Sequence, residues 1–189
     1  MEVLKQRILQ EASVLSDQLL RLDSILNHQV DPQLIMQMGE EFARRYADEK
    51  VTKVLTMESS GISPAFATAL ELGVPLVFAR RKRTIPTDTD EYSERVPSFT
   101  KGIVTDIVVA RRFLKPEDRI LIIDDIIANG DAARGLIRIV EKSGASLAGL
   151  GIAVEKSFQS GGRSIRERGI RVEALVQIRS LDQGKIQFE

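Results

Sequence analysis

The sequence predicts a single α/β domain in which a mostly parallel, twisted sheet is flanked by helices. From residue 51 onward, short β-rich apolar runs alternate with segments of helical period, the order that parallel strands joined by right-handed crossovers produce. One of these runs, residues 119–127, is apolar apart from its leading arginine and two adjacent acids, as expected of a strand covered on both faces. The 189 residues, 43% of them hydrophobic, are enough to bury one core without covalent staples.

The elements follow in chain order. Residues 1–30 read as an amphipathic helix and a short apolar stretch, Val14 to Leu26, interrupted by Ser16, Asp17, Arg21 and Asp23, and they have the character of an appendage. Asp31 then caps a helix that starts on Pro32, and Ile35, Met38, Phe42 and Tyr46 recur along it at helical spacing for about four turns. VTKVLTM, a helix from Ala65 to Leu72, Gly73 and VPLVFA make a βαβ unit. Arg80 to Gly102 show no sustained period and carry two prolines, which predicts a long irregular loop before the strand IVTDIVVA. RILIIDDII, a helix from Ala132 to Lys142, the strand LAGLGIAVE, a polar helix from Gly162 to Arg168 and the strand IRVEALVQI complete the pattern.

Composition excludes several classes of function. There is no cysteine, so neither disulfides nor thiol chemistry enter, and a reducing, cytoplasmic setting is expected. No apolar run reaches the roughly 18 residues of a membrane span, and the first residues mix acids with bases, so neither an anchor nor a leader is expected. Lys and Arg together number 27, as do Asp and Glu, which leaves no global basic field for nucleic acid. A polyanion must be met by a local site.

The segment RILIIDDIIANGDAA offers one. Its strand delivers Asp124 and Asp125 to the end where open α/β sheets bind ligands, and the chain passes through Ala128, Asn129, Gly130 and Asp131 into a helix beginning with the small Ala132 and Ala133. Free N–H groups at that helix start favour an anion, and small side chains let a phosphate approach the backbone. The acids suit the vicinal hydroxyls of a ribose. An Asp-Asp step ending a strand and an Asn-Gly turn explain the same residues without a ligand, and spacing alone leaves both readings standing.

The same segment resembles the phosphoribosyl pyrophosphate motif of the type I phosphoribosyltransferases: an apolar strand, two acids, two apolar residues and a small glycine-containing loop. The resemblance implies that family's fold, with residues 1–30 as a hood over the sheet and 80–102 as a flexible catalytic loop. It departs at Asn129 and at Ala132 or Ala133, where the family often carries threonine, so backbone donors and the Asn129 amide must hold the phosphate. Met57-Glu58-Ser59-Ser60-Gly61 resembles the pyrophosphate loop, although Ser60 also suits plain helix capping. Arg80 to Arg83 resemble the start of the catalytic loop, which implies that Lys82 neutralises the leaving pyrophosphate.

Lys156, after the strand LAGLGIAVE, stands where the oxopurine members of the family place a lysine on the purine carbonyl; having only donors, it suits a 6-oxo group and repels a 6-amino group. Phe158, nearby, offers a ring on which a base can stack. The N-terminal segment resembles the hood of bacterial xanthine-using members, which implies that Leu20 contacts the base and Asn27 reads its polar edge. The lone histidine, His28, is given no acid or base role. The family further implies Mg²⁺ bound through pyrophosphate oxygens, with no protein metal site, and a homodimer. Xanthine and phosphoribosyl pyrophosphate are the expected substrates, with no nucleic-acid or membrane partner. A guanine/hypoxanthine or adenine phosphoribosyltransferase, or a non-catalytic sensor of phosphoribosyl pyrophosphate, remain as alternatives.

Overall fold

The structure, a computed structural model, describes residues 1–81, 90–98 and 103–189. Helix α1 (Glu2–Glu11) leads into a small antiparallel pair, β1 (Ser13–Val14) and β2 (Leu20–Arg21), and then a single π-helical turn, Asp23–Asn27. Next come α2 (Pro32–Arg45), β3 (Lys53–Met57), α3 (Ile62–Leu72) and β4 (Leu76–Arg81). A hairpin of β5 (Glu91–Ser98) and β6 (Ile103–Ala110) follows. The chain ends through β7 (Arg119–Ile127), α4 (Asp131–Ser143), β8 (Ser146–Lys156), α5 (Gly161–Arg166), β9 (Val172–Ser180) and β10 (Gln187–Phe188).

Eight strands form one sheet in the order β10-β9-β8-β7-β3-β4-β6-β5. The five from β9 to β4 are parallel, and the antiparallel pairings lie outside them. From β3 the chain crosses to β4 on one side, whereas from β7 it proceeds through β8 to β9 on the other. The connections therefore reverse between β3 and β7, and the crevice beyond the carboxyl ends of those two strands is where such a sheet takes its ligand.

β7 is covered on both faces, as its composition predicts. Leu121 and Ile123 join one core with Leu4, Ile8, Met38 and Phe42, while Ile120 and Ile122 join the other with Leu136, Ile137 and Val140. All four strand residues are fully buried. The expected cap of α2 is present: the Asp31 side chain accepts from the N–H groups of Gln33 and Leu34, and Pro32 opens the first turn. Gly73 and Gly144 close α3 and α4 in the left-handed conformation.

Two expectations change. Residues 1–30 are more than an appendage, because Leu4, Ile8, Leu20, Leu22, Ile25 and Leu26 are all buried in the first core. The irregular loop drawn from Arg80 to Gly102 contains a full strand: β5 pairs with β6 over eight residues from Glu91–Ala110 to Ser98–Ile103. Arg80 and Arg81 are not loop residues either; they end β4, opposite Val108 and Ile107.

Candidate active site

Two strand-to-helix turns meet at the crevice. The first runs from Met57 through Glu58, Ser59 and Ser60 into Gly61, with the Glu58–Ser59 peptide in the cis form. The Glu58 N–H donates to the Ala79 carbonyl, and the Glu58 carboxylate pairs with Arg80 at 3.2 Å, which ties this turn to the end of β4. No side chain caps α3, so the capping role open to Ser60 is not taken up. Gly61 approaches β3 and β7 closely: a Cβ there would stand 2.3 Å from the Thr56 hydroxyl and 2.7 Å from an Asp124 carboxylate oxygen. The first turn thus lies directly against Asp124. Thr56 Oγ1 itself is buried and has no hydrogen-bond partner among the described residues.

Asp124 is 7% exposed, and its Oδ1 accepts the Asp125 N–H at 3.0 Å. Burial pushes its carboxyl well above the ordinary range, and the neighbouring Asp125 carboxylate pushes it further. Asp125 is half-buried. Beyond them the second turn carries Ala128, Asn129, Gly130 and Asp131 into α4. These residues line a cavity of about 220 Å³ together with Ala132, Asp124, Met57 and Arg81. Lys82, expected at the leaving pyrophosphate, lies outside the described residues; Arg81, in the same tract, brings a cation to the cavity.

The second turn is braced from outside the segment that suggested it. Gly130 has φ +83°, and a Cβ on it would meet the Gly161 Cα at 2.9 Å. The Gly161 N–H donates to the Ala128 carbonyl at 2.9 Å. Arg134 adds hydrogen bonds to the Asn129 carbonyl, at 2.8 Å, and to the Asp131 carboxylate, at 2.7 Å. Sequence reasoning missed Arg134, Gly161 and Thr56. Arg134, one turn into an amphipathic helix, carried a faint signal; the other two are brought in by tertiary packing alone.

Lys156 is at the end of β8, next to the second turn, since Ile127 and Glu155 are partners in register. It is 7% exposed, and its Nζ donates to the Gln18 carbonyl of the N-terminal segment at 2.7 Å. Burial lowers its pKa. Leu20, two residues past Gln18, is buried on β2. Asn27 is exposed at the end of the π turn and lines a largely apolar cavity of about 520 Å³ that it shares with Ser59, Ser60 and Phe66. The N-terminal segment therefore bonds Lys156 through Gln18, whereas Asn27 and the first turn line a separate cavity from the one beside Asp124. Phe158 is 37% exposed beyond β8.

The family model of the phosphoribosyl transferase domain matches residues 22–164, a span that contains both turns and the acid pair. The chain belongs to the phosphoribosyltransferase family. Among curated members it is 56% identical, over 99% of its length and 95% of the relative's, to a protein named xanthine phosphoribosyltransferase from Moorella thermoacetica. It is 50% identical, over 100% and 95%, to one of the same name from Bacillus mycoides. The phosphoribosyltransferase fold is shared with solved structures. Adenine phosphoribosyltransferase from Rhodothermus marinus superposes with a TM-score of 0.73 at 24% identity, over 94% of this chain and 100% of that one. The Giardia lamblia enzyme complexed with 9-deazaadenine gives 0.71 at 22%, over 84% and 86%. Among the described residues no helix is long and apolar enough to cross a membrane.

Proposed function

We propose that this protein is a purine-salvage enzyme that converts xanthine and 5-phosphoribosyl 1-pyrophosphate to xanthosine 5′-monophosphate and pyrophosphate. One observation carries the reading: at the point where the strand order reverses, a hydroxyl-bearing turn is packed against the buried Asp124 of an acid pair, beside a glycine turn that opens a helix. The relatives named xanthine phosphoribosyltransferase, at 50–56% identity over nearly the whole chain, support xanthine as the base.

In this reading Ala128, Asn129, Gly130, Asp131 and Ala132 present backbone N–H groups to the 5′-phosphate, where the start of the 13-residue α4 favours an anion. Asp124 and Asp125 hold the two ribose hydroxyls. Burial and the neighbouring Asp125 carboxylate both raise the Asp124 pKa. Ser59, Ser60 and Gly61 seat the pyrophosphate. Lys156 donates to the 6-oxo group, held in direction by Gln18, while Leu20 and Asn27 close over the base from the N-terminal segment. The bond from the anomeric carbon to the pyrophosphate oxygen breaks with its electron pair leaving on oxygen. A purine ring nitrogen supplies the pair for the new bond, and the proton it sheds passes to solvent. Positioning and charge stabilisation account for the catalysis.

Among the described residues no group of three His, Cys, Asp or Glu side chains is arranged to hold a metal. In this reading Mg²⁺ arrives on the pyrophosphate, whose seat is the turn at Ser59 to Gly61. When bound, the ion neutralises charge on the leaving group. A cytoplasmic homodimer is part of the same reading. Phe66 and Leu70, both 58% exposed one turn apart on α3, are apolar side chains that a partner copy would cover. Purified protein with phosphoribosyl pyrophosphate, Mg²⁺ and each purine in turn tests the proposal. Release of pyrophosphate with xanthine, outcompeting guanine, hypoxanthine and adenine, is expected. Release with another base alone reassigns the substrate, and no release with any base overturns the enzymatic reading.

A further inference from the structure

The helix-start turn that faces the proposed 5′-phosphate contains an acid. Asp131 lines the same cavity as Asn129 and Gly130, and its side chain is 19% exposed. A carboxylate so placed would repel a dianion if it stood alone. It is instead paired with Arg134, whose Nη2 bonds both the Asp131 carboxylate at 2.7 Å and the Asn129 carbonyl at 2.8 Å. The other terminal nitrogen donates to the Ser164 hydroxyl at 3.2 Å, and Ser164 in turn donates to the Gly161 carbonyl at 3.0 Å. One guanidinium thus joins the turn to α5, the element whose Gly161 N–H already holds Ala128.

We infer that Arg134 is a positioning residue for phosphoribosyl pyrophosphate: it fixes the backbone of residues 128–131 around the phosphate and cancels the charge of Asp131. This rests on the assignment of that turn to the 5′-phosphate. It also explains how the cradle works without threonine hydroxyls. Rigidity supplied from behind keeps the N–H groups converged, and the fork geometry of arginine reaches the carbonyl, the carboxylate and the hydroxyl at once. A lysine reaches only one or two of the three.

The test measures steady-state constants and thermal midpoints for Arg134→Gln, Arg134→Lys and Arg134→Gln combined with Asp131→Asn. Loss of a charge-assisted pair predicts a rise of about tenfold in the KM for phosphoribosyl pyrophosphate in Arg134→Gln, with the KM for the base changed much less. Arg134→Lys falls between that variant and the wild type. Removing the orphaned charge in the double variant recovers a large part of the lost affinity, a rescue that loop collapse alone would not give. Equal KM values for phosphoribosyl pyrophosphate in Arg134→Gln and wild type, or no recovery in the double variant, overturn the inference. Amide resonances of residues 128–132 titrated with ribose 5-phosphate separate the two levels. Amides unmoved in the wild-type protein refute the phosphate assignment and the inference with it, whereas amides that move equally in wild type and Arg134→Gln refute the role of Arg134 alone.

Discussion

Replacing Gly61 by alanine tests the contact on which the site is built. The added Cβ would lie 2.3 Å from Thr56 Oγ1 and 2.7 Å from an Asp124 oxygen, where ordinary contact begins at 3.4 Å. The Ser59–Gly61 turn must therefore retreat from β3 and β7 by about 1 Å, because both neighbours belong to buried strand residues with little room to give. Overpacking of this kind costs about 1–3 kcal/mol. For a chain of this length that lowers the thermal midpoint by roughly 2–12 °C. The catalytic loss should be larger in proportion, since a displacement of about 1 Å between positioned groups lowers a rate on the order of 100-fold. Calorimetry and steady-state assay with xanthine and phosphoribosyl pyrophosphate read both effects. Adding Thr56→Ala relieves the shorter of the two contacts and should restore part of the stability. A Gly61→Ala protein with wild-type turnover, KM and thermal midpoint would refute the close packing of turn and acid pair.

Asp124→Asn should abolish turnover yet raise the thermal midpoint at neutral pH. Burial and Asp125 elevate the folded-state pKa of Asp124, so the stability it contributes is present below the ordinary carboxylate range and is lost as pH rises through that elevated value; the advantage of the variant should grow with pH above about 4, and an advantage confined to acid would contradict this. Lys156→Gln should raise the KM for xanthine by about 10–100-fold, the scale of a lost charged hydrogen bond, and speed amide exchange in the N-terminal segment that Gln18 anchors; a selective effect on phosphoribosyl pyrophosphate instead would move Lys156 out of the base site. Glu41 is held down to about 2 by hydrogen bonds from Arg44, against burial and with help from Arg45. Its contribution to stability is present above about 4.5 and lost as pH falls toward 2, so acid titrations of wild type and Glu41→Gln should converge at the low end, and parallel curves would count against the pairing.

What the sequence makes legible here depends on whether a feature is local. β7 is readable because both of its faces are apolar and the acids interrupt that run at one place. The start of α2 is readable because Asp31 and Pro32 satisfy its first N–H groups by themselves. β5 is not, and the reason is chemical. Its inward positions are Tyr92, Glu94 and Val96, so the period-two pattern is broken at its centre by an acid. Glu94 is tolerated there because α4 supplies Arg138 and Lys142 to pair with it, at 2.7 and 2.5 Å. Pro97 also argues against a strand until its place is known, for β5 is the edge of the sheet, where proline is tolerated.

The same distinction divides the candidate site. Asp124, Asp125 and the turn after them were legible as a segment, whereas what holds that segment in shape comes from α5, about 30 residues further on, through Gly161 and Ser164. The absent threonines looked like a weakness only as long as the turn was considered alone. A phosphate cradle needs converging N–H groups and a favourable field, and both can be supplied by a guanidinium behind the turn as well as by hydroxyls within it. The bond from Lys156 to the Gln18 carbonyl is a second long-range device, spanning 138 residues, and it couples the proposed base contact to the N-terminal segment. If the base accepts a hydrogen bond from Lys156 while Gln18 keeps its own, the two acceptors fix the ammonium between them, and a 6-amino purine would have to bring a donor to a group already committed to donating. Selectivity against adenine then resides in the pairing of lysine with hood, which explains how it can arise in a fold shared with adenine phosphoribosyltransferases.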